Sequence, residues 1–94
     1  MTRLSVTKVS GPYCATNEQG AQLFQELSPY FKADECVELD FSGVELTSSS
    51  FFNELFGAIA EAFGDTFSDQ HLSFSSLKPR HRFVLDRTHP GAAA

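Results

Sequence analysis

One short unit constrains the fold more than any other: a strand-length alternating run that leads, through a serine-rich turn, into an amphipathic helix. In Cys36-Val37-Glu38-Leu39-Asp40-Phe41 apolar residues alternate with acidic ones, and Ser42-Gly43 follows at once. A run of period two that short has no room for a helix and specifies a strand. Beyond the turn, Phe52, Leu55, Phe56, Ile59 and Phe63 recur at the three- and four-residue spacings of a helix and form one core-facing stripe. Gly64-Asp65 closes that helix, because glycine accepts the left-handed conformation common at C-caps.

The rest of the chain repeats this alternation. Residues 3–9, with Leu4, Val6 and Val9 between polar neighbours, read as a half-buried strand that Ser10-Gly11-Pro12 ends. Thr16 followed by Gln19 has the form of a capping box, with Glu18 in the first turn, so a helix starts near Asn17. Leu23, Phe24, Leu27 and Phe31 face its core side, and Pro29 predicts a kink or break near Ser28. Phe67 is expected to pack a short connection into a third strand, His71-Leu72-Ser73-Phe74. Pro79 then opens a helix through Arg87, with Leu77, Phe83, Val84 and Leu85 expected inward.

The expected fold is therefore α/β: a small layer of about four strands, mixed or parallel, with three helices in the order β-α-β-α-β-α. The second and third strands should run parallel, while the direction of the first stays open. Residues 1–88 read as a single domain and 89–94, His-Pro-Gly-Ala-Ala-Ala, as a flexible tail.

A chain of 94 residues needs a dense core, and ten phenylalanines can supply one without a staple. Cys14 and Cys36 form no CxxC pair and have no histidine at ligand spacing, so they read as buried or half-buried free thiols. His71, His81 and His89 are scattered and expected at the surface, and no metal or cofactor is implied. No stretch is long and apolar enough to span a membrane, and the first ten residues lack the apolar core of a signal peptide, which favours a cytoplasmic setting. The net charge of −5 disfavours a general nucleic-acid binder. Lys78, Arg80, Arg82 and Arg87 outweigh Asp86 near the C-terminus. That basic segment reads either as a solvated helix face complementing its own dipole or as a docking surface for an acidic partner.

Catalytic patterns are sparse. Ser50, His71 and Asp40 could be written as a triad, but no GxSxG elbow accompanies them and spacing gives no geometry. The serine run Ser48-Ser49-Ser50 is more specific. One hydroxyl suffices to cap a helix, and the other two either face solvent or use the positive end of the helix to bind an anion or carry phosphate. Asp40 falls near the carboxyl end of its strand, where α/β sheets commonly bind ligands.

The segment Leu-Asp-Phe-Ser-Gly-Val-Glu-Leu-Thr-Ser-Ser-Ser-Phe-Phe-Asn-Glu-Leu-Phe-Gly, residues 39–57, resembles the STAS domain of sulfate transporters and anti-sigma factor antagonists, whose run reads Leu-Asp-Leu-Ser-Gly-Val, a short spacer and Asp-Ser-Ser-Gly. Ser48 stands where that run has Asp, and Phe51 where it has Gly. Ser50-Phe51 and Glu54-Leu55-Phe56-Gly57 are closer to the STAS-like family of unknown function, as are Tyr13-Cys14, Thr16 and Gly20 around the first long helix. The resemblance implies a non-enzymatic regulatory module that docks a protein partner, with an ATP-binding kinase-like regulator as one plausible partner. It implies Ser50 as the candidate phosphorylation position, and Asp40, Ser42, Ser48, Ser49, Ser50, Phe51, Asn53 and Glu54 as candidate partner or ligand contacts. The alternative it leaves open is a small-ligand or nucleotide-binding module. It implies neither a nucleic-acid nor a membrane partner.

Overall fold

A computed structural model describes residues 2–88; the expected tail, 89–94, and His89 with it lie outside them. The elements are β1 (Thr2–Ser5), α1 (Val6–Ser10), β2 (Tyr13–Cys14), α2 (Asn17–Lys32), β3 (Val37–Asp40), β4 (Leu46–Thr47), α3 (Ser49–Phe63), α4 (Phe67–His71), β5 (Leu72–Ser75) and α5 (Pro79–Thr88). A three-stranded sheet has the order β1-β3-β5, and β2 and β4 form a second, two-stranded sheet. Every pairing is parallel. The α/β class, the helix–strand alternation and the parallel second and third strands of the long-element pattern are as expected. The direction of β1, which its sequence left open, is parallel.

The element count differs from expectation: the described residues hold five helices and two sheets, where three helices and one layer of about four strands were expected. The strand expected over 3–9 stops at Ser5. Its ladder partner β3 ends at Asp40, opposite Ser5, and turns away between Phe41 and Val44, whose N–H donates to the Phe41 carbonyl at 3.0 Å. With no partner left, the chain winds into α1, which buries Val6 and half-buries Val9. Gly11, at φ 77°, closes it. The ribbon of β2 and β4 is only two residues long on each side, too short for a periodic signature.

Pro29 does not break its helix. α2 runs unbroken to Lys32, with buried Leu27 and Phe31 on either side of Pro29 holding the helix to the core. The Thr16–Gln19 capping box forms as expected. The Gln19 side chain does more: Nε2 also donates to the carbonyls of Ser10 (2.9 Å) and Tyr13 (2.6 Å), fixing the path of the preceding loop.

The core lies between the main sheet and the pair α2–α3. It holds Leu23, Leu27, Phe31, Leu39, Phe41, Phe51, Phe52, Leu55 and Ile59, all essentially inaccessible. Gly20 is buried where α2 meets the first turn of α3, and a Cβ there would lie 2.5 Å from the Phe51 carbonyl oxygen. Phe67, half-buried as expected of a packed connection, lies 4.7 Å ring to ring from Phe63 and 5.0 Å from Phe31. It belongs to α4, a helix the sequence reading missed, and stacks on His71 one turn later at 3.8 Å.

Four further expectations are corrected. Phe83 is exposed, because α5 turns His81, Val84 and Leu85 inward and leaves Phe83 on the outside. His81, expected at the surface, is buried. His71 is half-buried and pairs with Asp34 at 2.7 Å. Cys14 is buried, but Cys36, just before β3, is exposed.

Candidate functional site

The serine run divides into one structural residue and two free ones. Ser48 is the N-cap of α3: its backbone is extended, and its Oγ accepts from the Phe51 N–H at 3.2 Å. The same Oγ donates to the Ala15 carbonyl at 2.9 Å. One hydroxyl thus starts α3 and ties it to Ala15, between β2 and α2. Aspartate could cap but could not donate to Ala15, which gives Ser48 a physical reason to be serine.

Ser49 and Ser50, the first two residues of α3, are exposed. Among the described residues neither hydroxyl has a hydrogen-bond partner. They stand at the positive end of a 15-residue helix, before its backbone N–H groups find intrahelical acceptors. Asn53 is exposed and Glu54 half-buried one turn on. Phe51, grouped with them in the sequence reading, is fully buried. Its side chain belongs to the core, and the accessible face here is Ser49, Ser50, Asn53 and part of Glu54.

Asp40 and Ser42 form a separate group at the carboxyl end of the main sheet. Ser5, Asp40 and Ser75 stand side by side across β1, β3 and β5. Asp40 Oδ1 accepts from the Ser42 N–H (2.9 Å) and the Ser42 hydroxyl (2.7 Å), and Ser76 Oγ lies 3.1 Å from Ser42 Oγ. The Ser42 backbone N–H, then its hydroxyl, hold the Asp40 carboxyl below its ordinary value. The turn requires Gly43, at φ 83°, where a Cβ would lie 3.3 Å from Thr7 Cγ2. Ser75 Oγ is buried without a partner. Sequence reasoning found Asp40 and Ser42 but missed Ser5, Ser75 and Ser76, which only strand register brings to them.

His71 is not near this edge. It directly precedes β5, at the amino end of the sheet opposite Asp40, so Ser50, His71 and Asp40 do not assemble. Among the described residues no group of three or more His, Cys, Asp or Glu side chains could hold a metal ion, and no helix is long and apolar enough to cross a membrane.

The family profile described as STAS-like domain of unknown function (DUF4325) matches residues 19–82. The chain belongs to this STAS-like family. The match contains the whole segment 39–57 and Gly20, while Tyr13-Cys14 and Thr16 precede it. Neither the comparison with curated proteins nor that with solved structures gave a significant match. In this STAS-like domain Gly20 lies where α2 meets α3, and Phe51 fills the core beneath the serine turn.

Proposed function

We propose that this STAS-like domain is a non-enzymatic regulatory module that docks a protein partner through the start of α3, with Ser50 as the position where phosphate would switch docking. One observation carries the reading. Of three adjacent serines, Ser48 is committed to structure, while Ser49 and Ser50 are exposed and free at the positive end of α3. Phosphate on Ser50 would add about −1.5 to −2 charges. The helix dipole would accept that charge without refolding, while an acidic or apolar partner surface would be repelled. Ser49, one position earlier, is the internal control.

The test is capture of partners from the native host, identified by mass spectrometry, with intact-mass analysis of the domain purified from the same cells. Ser50→Asp should abolish capture of the specific partner and Ser49→Ala should preserve it. Capture unaffected by Ser50→Asp, together with no phosphate adduct in any growth condition, overturns the switch.

A second reading is favoured by the polar edge Ser5–Asp40–Ser75 with Ser42 and Ser76: a small polar ligand bound at the carboxyl end of the sheet. The ionised Asp40 suits a neutral or cationic group better than a nucleotide phosphate at that point. A ligand that raises the unfolding temperature of the wild type but not of Asp40→Asn would support it.

A further inference from the structure

The three large apolar side chains exposed among the described residues are Tyr13 (60%), Leu46 (48%) and Phe83 (62%). Tyr13 and Leu46 are direct neighbours, paired in register across the β2–β4 ribbon. Their strand partners Cys14 and Thr47 point into the core, so the alternation of the strands sends Tyr13 and Leu46 outward together. The ribbon is held firmly. The Pro12 carbonyl accepts from the N–H groups of Glu45 (2.7 Å) and Leu46 (3.2 Å), and Gln19 Nε2 holds the Tyr13 carbonyl. An apolar pair displayed on a fixed backbone loses little conformational freedom when covered.

α5, which carries Phe83, packs against β4. Arg80 Nη2 donates to the Glu45 carbonyl at 2.9 Å, directly beside Leu46. Phe83 and Arg87 follow Arg80 at helical spacings of three and seven, on one flank of α5. The Arg87 guanidinium lies 5.5 Å from the centre of the Phe83 ring. Lys78 and Arg80 lie 3.8 and 3.7 Å from the Glu45 carboxylate. Around these side chains the described residues place Lys78, Arg80, Arg82 and Arg87 against Glu45 and Asp86, a local excess of positive charge on a chain that is acidic as a whole.

We propose that Tyr13, Leu46 and Phe83, framed by Lys78, Arg80 and Arg87, form a docking surface for an acidic segment of a partner protein that also carries apolar side chains. Charge selects this occupant. A second copy meeting the patch through a two-fold axis would set the same cations against each other. A nucleic acid would meet Glu45 within the patch and the net negative charge of the chain. The surface extends the serine-turn reading and stands without it: it requires neither Ser50 nor its phosphate.

The experiment is selection of a displayed random peptide library on the wild-type protein, with binding of the selected peptides measured by fluorescence anisotropy. Peptides rich in Asp and Glu beside Leu, Ile or Phe should emerge. Their affinity should fall at least tenfold in Tyr13→Ser/Leu46→Ser/Phe83→Ser and, separately, in Arg80→Glu/Arg87→Glu. All the substituted side chains are exposed, and unchanged unfolding temperatures would verify the fold. Ser50→Asp should leave affinity within twofold, which separates failure here from failure of the phospho-switch. No selected binder, peptides without acidic excess, or wild-type affinity in either set of variants overturns the proposal. So does tighter binding of oligo-dT than of the peptides, or self-association that Leu46→Ser abolishes.

Discussion

At the scale of single residues, the serine run shows how one side-chain type takes different roles within three positions. Ser48 accepts from Phe51 N–H and donates to the Ala15 carbonyl, so alanine there removes a cap and leaves a carbonyl unpaired. Ser48→Ala should destabilise the domain by about 1–3 kcal/mol in urea unfolding, against less than about 0.5 kcal/mol for exposed Ser49→Ala. Aspartate is ordinarily as good a cap as serine, yet Ser48→Asp should also be less stable than wild type, because a carboxylate faces Ala15. Wild-type stability in that variant would mean that the Ala15 contact contributes nothing. The composition of the run exposed the existence of a cap. It did not say which serine fills it, since that depends on where the backbone leaves the extended conformation and on a carbonyl 33 residues away.

At the scale of elements, the approach of α2 to α3 is set by a residue without a side chain. Gly20 faces the Phe51 carbonyl so closely that a Cβ must push the helices apart, whereas Gly57, on the exposed side of α3, has open space around it. Gly20→Ala should therefore destabilise by about 1–3 kcal/mol despite alanine's better helix propensity. Gly57→Ala should stabilise by about 0.5–1 kcal/mol. Thermal unfolding of the two variants checks both signs, and a stabilised Gly20→Ala would contradict the packing described. The long helices were legible because a stripe over four turns has no other arrangement that buries it. The short elements were not: α1 has strand-like residues, and it becomes helical only because β3 ends opposite Ser5.

At the scale of the whole molecule, Cys14 reports on the integrity of the core. Burial pushes its thiol from 9.0 up to about 11, favouring the neutral form in the folded state. A folded value above the unfolded one means that this contribution is complete below about pH 9 and is lost as pH rises towards about 11. The urea midpoint should fall over that interval, and the fall should be smaller in Cys14→Ala. An identical slope in the two proteins would refute the assignment. In the native protein at neutral pH, iodoacetamide should modify exposed Cys36 and spare Cys14 until the core opens. The residue pattern alone was enough for the α/β class, the two long helices, the capped serine turn and the family resemblance, because hydrophobic period, capping chemistry and a contiguous motif are local properties. Three features needed the fold: the burial of Phe51 and His81, the exposed pairing of Tyr13 with Leu46, and the row Ser5–Asp40–Ser75. Each depends on strand register or helix rotation, which bring together residues 30 or more positions apart that no local pattern relates.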